Sequence, residues 1–208
     1  MAVDRALARA QVTGCILAGG RGRRFDGADK GLIELRGQPL IQHVLRRLQP
    51  QVAGTVINAN RNLAHYQVFD VPVLKDASDD FAGPLAGCLA ALRHATTQYV
   101  VIVPCDSPFV PTDLVERLWQ AGVTAQAEIS AVHCAGRLQP VFALISTDLT
   151  ASLEAYLGSG GRKIEVWYRA HRLLEVDFEA DSAAFMNIND SSDLDSAERR
   201  VISDAADA

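Results

Sequence analysis

The chain alternates short apolar runs with amphipathic stretches. In its first half, four apolar runs have the length of strands and end at glycine or polar residues, which is typical of strands covered on both faces of a parallel sheet. These predicted strands cover residues 13–17, 55–57, 71–74 and 99–103. The stretches between them predict helices, because apolar residues such as Leu40, Val44 and Leu48 recur on one helical face. The predicted helices cover residues 38–48 and 111–121 and a segment that begins at Pro84.

The second half of the chain continues this alternation. Two predicted strands form a hairpin around the turn Ala135-Gly136-Arg137, and two helices, a strand and a final helix follow. These elements cover residues 129–133, 141–145, 149–157, 163–169 and 173–176, and the final helix begins at Ser191. The alternation predicts a single α/β domain over residues 1–208, with three α/β/α layers around a mostly parallel sheet. We expect residues 1–11 and 203–208 to fray.

The charge of the chain narrows the class of ligand. A formal net charge of −5 argues against a nucleic-acid-binding protein, which carries a basic surface or stripe. Positive charge is nevertheless concentrated in one place, because Arg21, Arg23, Arg24 and Lys30 lie within ten residues. A small polyanionic substrate therefore fits the pattern better than a nucleic acid.

Four cysteines are scattered along the chain without a short pair, so neither a zinc site nor a disulfide framework is indicated. Free thiols in apolar runs behave as small core residues, and we expect a reducing, cytoplasmic setting. Residues 1–11 lack the apolar core of a signal peptide, and no apolar run approaches the ~20 residues that cross a bilayer. We therefore expect no membrane segment.

Polar or flexible residues follow the predicted strands of the first half. In an open α/β sheet, ligands bind beyond the carboxyl ends of the strands. Backbone amides, a carboxamide and two carboxylates are therefore expected to converge on one crevice, as a complex of a nucleotide and a metal requires. The residues at these strand ends are Ala18, Gly19, Gly20, Asn58, Asp76 and Asp106.

The glycine-rich basic segment after the first strand suits a polyphosphate. Gly19, Gly20 and Gly22 let the backbone approach a phosphate, while Arg24 and Lys30 can neutralise its charge and that of a leaving pyrophosphate. The alternative is a tight basic turn on the surface, and for this segment alone the two interpretations weigh equally. The carboxylates at the neighbouring strand ends favour the functional one.

Two familiar nucleotide-binding motifs are absent. A P-loop requires Gly-Lys-Ser/Thr, but Lys30 is flanked by Asp29 and Gly31. The dinucleotide fingerprint requires a third glycine, where Phe25 stands, and the second strand ends on Asn58 rather than on an acidic residue. These departures argue against a redox enzyme.

Asp106 is the candidate metal ligand. It follows the most apolar strand and precedes Ser107-Pro108. Magnesium keeps most of its waters and takes one or two carboxylates together with substrate phosphates, so a single carboxylate at a strand end suffices. The alternative role is a cap on the following turn.

These motifs resemble the signature of the molybdenum cofactor guanylyltransferase family. Gly19-Gly20 with Asp29-Lys30 separates this family from relatives such as sugar-phosphate nucleotidyltransferases, although Phe25 stands where methionine is common and Asp26 enters the phosphate loop. The resemblance covers nearly the whole chain in the expected order. The matching segments are residues 17–20, 23–25, 29–32, 37–40, 56–61, 83–87, 104–108 and 187–189.

The resemblance implies a Rossmann-like nucleotidyltransferase fold and the Mg²⁺-dependent transfer of GMP from GTP to the terminal phosphate of molybdopterin. It also implies transient contact with cofactor-synthesis proteins or molybdoenzyme apoproteins. We expect Lys30, Asp106 and Arg24 to be catalytic, with magnesium on Asp106. Asp76 or a nearby backbone carbonyl is expected to accept hydrogen bonds from guanine. The expected GTP-binding residues are Leu17, Ala18, Gly19, Gly20, Lys30, Asn58, Asp76 and Asp106.

The pterin substrate has weaker candidates. Arg162 and Lys163 could contact its phosphate at a helix start, or they could form a solvated helix end. Asn187 and Asn189, which resemble the paired asparagines of the family, could bind the pterin edge or close a turn. Further candidates for that edge are Arg137 and Gln139.

Two rival functions stay open. One is a nucleotidyltransferase with another donor or acceptor, such as CTP with molybdopterin or a sugar phosphate. The other is a GTP-holding carrier or adaptor that delivers the cofactor without chemistry. The placement of Lys30 and Asp106 favours catalysis, since binding alone would need neither residue there. The sequence does not indicate an oligomeric state.

Overall fold

The computed structural model describes residues 5–20, 29–76 and 83–206 of the chain, with only the backbone beyond residue 200. Within these ranges the strands are β1 Val12–Leu17, β2 Glu34–Leu35, β3 Gln38–Pro39, β4 Gly54–Asn58, β5 Val73–Leu74, β6 Tyr99–Pro104, β7 Ile129–Cys134, β8 Arg137–Ser146 and β9 Leu173–Asp177. The α-helices are α1 Arg5–Ala10, α2 Leu40–Leu48, α3 Leu63–Gln67, α4 Pro84–His94, α5 Leu114–Ala125, α6 Thr150–Gly158, α7 Ile164–Arg169 and α8 Ser191–Ala206.

Seven of the described strands form one sheet in the order β5-β4-β1-β6-β8-β7-β9. The central strand β1 pairs in parallel with β4 and β6, β4 with β5, and β7 with β9. Within this seven-stranded sheet, as far as the structure describes it, only β8 runs antiparallel to its neighbours, which are β6 and β7. The prediction of a mostly parallel sheet is therefore confirmed. The carboxyl ends of the six strands other than β8 lie along one edge of the sheet, which we call the carboxyl edge.

Apolar side chains cover both faces of this sheet. Successive residues of a strand point to opposite faces, and accordingly Cys15 packs in one buried cluster while Ile16 packs in the other. The Ile16 cluster includes α2 and α5, and the Cys15 cluster includes α4, α6 and α7. The three-layer α/β/α architecture is thereby confirmed.

Several boundaries differ from the sequence prediction. Residues expected to fray at the amino terminus form α1, which packs against α5 and buries Ala8. The helix α8 likewise continues to Ala206, into the predicted frayed tail 203–208. The predicted strand 71–74 shortens to Val73–Leu74, because Pro72 has no N–H to donate to the ladder. The helix predicted from residue 111 begins at Leu114, after a turn.

Local patterns also missed two small elements. The five-residue helix α3 and the hairpin formed by β2 and β3 are too short for an apolar period to show in the sequence. Among the described residues, no helix has both the length and the apolar character required to traverse a lipid bilayer.

Candidate functional site

The ammonium group of Lys30 meets the carboxylate of Asp106 at the carboxyl edge. Lys30 begins the short 3-10 turn Lys30–Leu32, whereas Asp106 follows β6 by two residues. Lys30 Nζ donates to Asp106 Oδ2 at 2.9 Å and to Asn189 Oδ1 at 2.7 Å. Three chain segments that are remote in sequence therefore share one charged contact.

Asp106 retains an open acceptor. The residue is only 8% exposed, and its Oδ1 atom is buried without a hydrogen-bond partner among the described residues. A buried carboxylate oxygen normally has a partner, so an uncompensated one suits a cation. Nowhere in the described ranges do three or more His, Cys, Asp or Glu side chains form a metal-binding group. Magnesium that takes one protein carboxylate and completes its shell with phosphate oxygens and waters fits this donor set.

The segment around Asn187 and Asn189 is tied to the end of β6. The Ser107 hydroxyl donates to Asn187 Oδ1 at 2.6 Å, and the backbone N–H of Ile188 donates to the Asp106 carbonyl at 2.8 Å. The Asn189 N–H donates to Asp193 Oδ2 at 2.8 Å. The structure thus brings both predicted asparagines beside Lys30 and Asp106.

A second polar cluster follows β4 and β5. Asp76 accepts a hydrogen bond on each carboxylate oxygen, from Asn58 Nδ2 at 2.9 Å and from Asn60 Nδ2 at 2.8 Å. Its backbone N–H donates to Asn60 Oδ1 at 2.9 Å, so Asn60 and Asp76 form a reciprocal pair. These bonds hold the Asp76 carboxylate in one orientation.

Glycines allow β1 and α4 to close around Asn58. A Cβ on Gly19 would lie 3.1 Å from Asn60 Nδ2, and a Cβ on Gly87 would lie 2.2 Å from Asn58 Oδ1 and 2.8 Å from Leu17 Cδ2. The N–H of Ala18 donates to the Asn58 carbonyl at 2.8 Å. Three of the predicted residues at the β1 end, Leu17, Ala18 and Gly19, therefore lie beside the Asn58 and Asp76 cluster.

The Lys30 turn is anchored by contacts that the sequence analysis missed. Asp29 is 7% exposed, and its carboxylate accepts from Tyr66 OH at 2.5 Å and from Asn62 Nδ2 at 3.1 Å. Burial raises the pKa of Tyr66 far above its usual range, which keeps the hydroxyl protonated as a donor. Asn62 continues the alternation of Asn58 and Asn60 along the chain, but those two asparagines donate to Asp76 and not to Asp29.

Other predicted residues lie away from these contacts or outside the described ranges. Arg24 falls in residues 21–28, outside the described residues, and Gly20 contributes its carbonyl oxygen to Arg61 at 2.9 Å. Arg162 donates to the carbonyls of Leu157 and Gly161 within its own segment. Lys163 immediately precedes α7, and its carbonyl accepts from Tyr156 OH at 3.0 Å.

Arg137 and Gln139 line a cavity of about 490 Å³ between the β7–β8 hairpin and α7. The cavity also includes Glu165 and Arg169. A role of these residues in pterin binding stays a prediction.

Cys105 is a core residue beside the site rather than a nucleophile. Burial, and secondarily the neighbouring Asp106 charge, raise the pKa of its thiol well above the usual value. A protonated thiol is a poor nucleophile. The groups at this edge that can bind or neutralise a polar ligand are therefore the lysine, the carboxylates and the amides.

Known proteins are similar to this chain in sequence and in fold. A family model described as the MobA-like NTP transferase domain matches residues 14–175. The chain is 53% identical to the molybdenum cofactor guanylyltransferase of Cupriavidus metallidurans over 193 residues, which cover 90% of this chain and 95% of that protein. It is 44% identical to the protein of the same name from Shewanella loihica over 179 residues, which cover 86% and 91% of the two chains.

Solved structures share the architecture. Molybdopterin-guanine dinucleotide biosynthesis protein A from Archaeoglobus fulgidus superposes with a TM-score of 0.77 at 27% identity, covering 92% of this chain and 99% of that chain. A 4-diphosphocytidyl-2C-methyl-D-erythritol synthase from Anaerococcus prevotii has a TM-score of 0.74 at 12% identity, covering 96% and 99%. The second likeness concerns the fold alone.

Proposed function

The chain belongs to the family of molybdenum cofactor guanylyltransferases, and we propose that it transfers GMP from GTP to the terminal phosphate of molybdopterin, with magnesium bound at Asp106. The product is the guanine dinucleotide form of the cofactor, and pyrophosphate is released. The contact of Lys30 with Asp106 at the carboxyl edge carries this proposal. A lysine and an open carboxylate are the two groups that a triphosphate and its metal ion need.

GTP is proposed to bind along the carboxyl edge. Backbone groups of Leu17, Ala18, Gly19 and Gly20 lie at the end of β1, where glycine leaves the main chain accessible to an approaching nucleotide. Asn58 and Asp76 lie at the neighbouring strand ends and contact each other. These residues form the donor side of the proposed site.

Asp76 is the proposed reader of guanine. Guanine presents its ring N–H and amino group as donors, and an ionised carboxylate is an acceptor with about four lone-pair positions. The amides of Asn58 and Asn60 occupy one position on each oxygen of Asp76, so further acceptor positions stay open. A carboxylate already held in one orientation loses little freedom when a base binds.

Asp106 is the proposed metal ligand. Its Oδ1 atom has no partner in the described part of the chain, while Oδ2 accepts from Lys30. Magnesium would supply electrostatic stabilisation of the triphosphate and of the leaving pyrophosphate. Lys30 and Arg24 are proposed to neutralise further negative charge during transfer.

The reaction is an in-line displacement at phosphorus. A terminal phosphate oxygen of molybdopterin attacks the α-phosphorus of GTP, and the bond from that phosphorus to the oxygen of the β-phosphate breaks. Because the second pKa of a phosphate monoester is about 6, the attacking group is already ionised near neutral pH. The mechanism therefore requires no dedicated general base, and the protein positions the two substrates.

The acceptor is proposed to bind beside Lys30. Asn189 contacts the Lys30 ammonium directly, and Asn187 is held by Ser107. Their position next to the charged pair suits an acceptor phosphate or the pterin edge. Arg162 and Lys163 stay weaker candidates because their bonds lie within their own segment.

We further propose a cytoplasmic location, supported by four free, buried cysteines, and transient contact with cofactor-synthesis proteins or molybdoenzyme apoproteins.

The test measures pyrophosphate release with magnesium and molybdate-loaded molybdopterin, while GTP, CTP and ATP are offered in parallel. Release with GTP alone is the expected result. Release with CTP would retain nucleotidyl transfer but overturn the guanylyl assignment. If no donor leads to pyrophosphate release although GTP binding is measurable, the protein is a carrier that holds GTP and not a transferase.

A further inference from the structure

The position of Lys30 depends on the backbone turn that carries it. Lys30 follows Asp29, whose carbonyl accepts from the Leu32 N–H at 3.0 Å and closes the turn. The Asp29 side chain makes no capping bond to this turn and instead points to α3 and the residue before it. The turn is therefore held from outside, by groups that contact Asp29.

Tyr66 is the principal anchor of Asp29. Its side chain is fully buried, and its hydroxyl donates to Asp29 Oδ1 at 2.5 Å. The second donor, Asn62, is exposed, has a left-handed φ of 53°, and forms a longer bond of 3.1 Å. A nearly buried carboxylate needs such donors because burial removes its water. Among the described side chains, loss of the Tyr66 hydroxyl would leave the Asp29 carboxylate with the exposed donor Asn62.

The same hydroxyl also sets the depth of the turn. A Cβ on Gly31 would lie 2.6 Å from Tyr66 OH and 3.4 Å from Cys105 Cβ. Gly31 therefore lies closely packed between the Tyr66 hydroxyl and the residue that precedes Asp106. The turn that carries Lys30 is pressed against the strand end that carries Asp106.

From these contacts we infer that Tyr66 is a positioning residue for the transfer reaction. Its hydroxyl holds Asp29 and Gly31 so that the Lys30 ammonium reaches Asp106 and the substrate phosphates. This inference rests on the proposed function, since it assigns Tyr66 an effect on the chemistry that Lys30 performs. If Tyr66 only filled space in the apolar core, its aromatic ring would be sufficient and its hydroxyl would have no effect on the reaction.

The test removes the hydroxyl and retains the ring. Tyr66→Phe is compared with Tyr168→Phe, because Tyr168 is also fully buried and its hydroxyl also donates one bond, to the Pro140 carbonyl at 2.8 Å. Tyr168 packs in the cluster on the opposite face of the sheet. Both variants remove one hydrogen bond made by a fully buried tyrosine, so a general loss of stability would appear in both.

Tyr66→Phe is expected to lower kcat for pyrophosphate release by at least about tenfold, since a displacement near 1 Å can reduce a rate by about 100-fold. Tyr168→Phe is expected to retain the wild-type kcat. The dissociation constant of GTP is then measured for Tyr66→Phe, Lys30→Ala and the double variant. If Tyr66 acts through Lys30, Tyr66→Phe weakens GTP binding in the wild-type background but adds no loss to Lys30→Ala.

Equal kcat values for the two tyrosine variants would overturn the positioning role of Tyr66, and so would additive losses of GTP affinity in the double variant. Either result would leave the proposed function of the protein intact. A wild-type protein that releases no pyrophosphate with any donor would overturn the proposed function and this inference with it. The two failures are therefore distinguishable.

Discussion

Two buried polar side chains of the described residues, Gln51 and Asp106, differ in how far their hydrogen-bonding groups are used. Gln51 is 4% exposed, and all its polar groups are used, since it donates to the carbonyls of Arg47 and Pro111 and accepts from the Val115 N–H. Asp106 is 8% exposed but leaves Oδ1 without a partner in the described part of the chain. Because an unsatisfied buried acceptor is costly, its presence at a strand end points to a ligand. Gln51 joins segments of the fold, whereas Asp106 is the residue that we propose binds a metal ion.

Asp106→Asn is expected to lower the rate of pyrophosphate release by at least about 100-fold, since it removes the negative charge that pairs with Lys30 and that is proposed to bind the metal ion. Gln51→Ala is the matched control, because it also deletes a buried polar side chain. We expect Gln51→Ala to lower the free energy of unfolding without a change in kcat of the folded protein. Turnover is measured with saturating GTP, magnesium and acceptor, and wild-type turnover by Asp106→Asn would refute the metal assignment.

Helices pack on the sheet through glycines in two places. A Cβ on Gly87 of α4 would meet Asn58 Oδ1 at 2.2 Å and Leu17 Cδ2 at 2.8 Å. A Cβ on Gly122 of α5 would meet Ser130 Oγ at 2.4 Å, and the Ser130 Cβ stays at 3.6 Å. The first contact lies against residues of the proposed donor site, and the second lies under the opposite face. Close packing alone therefore does not indicate that a glycine has a functional role. The residues that the glycine packs against indicate it.

Gly87→Ala is expected to destabilise the fold by about 1–3 kcal/mol and to weaken GTP binding, because two side chains must move and one of them is Asn58. Gly122→Ala is expected to be less destabilising, since a serine hydroxyl can rotate and alanine favours the helix by about 1 kcal/mol. Urea unfolding and GTP titration of both variants check this. An unchanged GTP affinity in Gly87→Ala would count against the donor site at Asn58.

Both apolar layers of the chain enclose ionisable groups in their neutral forms. Burial raises the pKa of Cys88 from its ordinary value of 9.0 to about 12. Burial also raises the pKa values of Cys15, Cys105, Tyr66 and Tyr168. In the unfolded chain these groups lose their protons at lower pH than in the folded protein. The folded state is therefore favoured fully below about pH 9 and less as the pH rises further.

The free energy of unfolding is accordingly expected to decrease between about pH 9 and about pH 12, because the unfolded chain binds fewer protons there. Urea unfolding at several pH values measures the slope. Cys88→Ala should reduce that slope, since one group with a raised pKa is removed. A slope unchanged by this substitution would contradict the assignment to the buried thiol.

Most of the fold could be predicted from local patterns. Apolar runs with glycine or polar ends marked the strands of the sheet, and the side chains after them, Asn58, Asp76 and Asp106, do lie at the carboxyl edge. Such features depend on residues adjacent in the chain, so their period is visible without a structure. The amino-terminal helix α1 could not be predicted this way, because its stability depends on packing against α5.

The contacts of the site depended on the tertiary structure. Lys30 reaches Asn189 across 159 positions and Asp106 across 76, and Tyr66 reaches Asp29 across 37. The sequence predicted Lys30 and Asp106 in one nucleotide site, left Asn189 open between the pterin edge and a turn, and gave Tyr66 no role. Their direct contacts could not be predicted. Which side chains meet depends on how loops cross the sheet edge and on which rotamers the packed core permits. The paths of the loops and the permitted rotamers are determined by contacts between segments that are distant in sequence. No short stretch of residues encodes them.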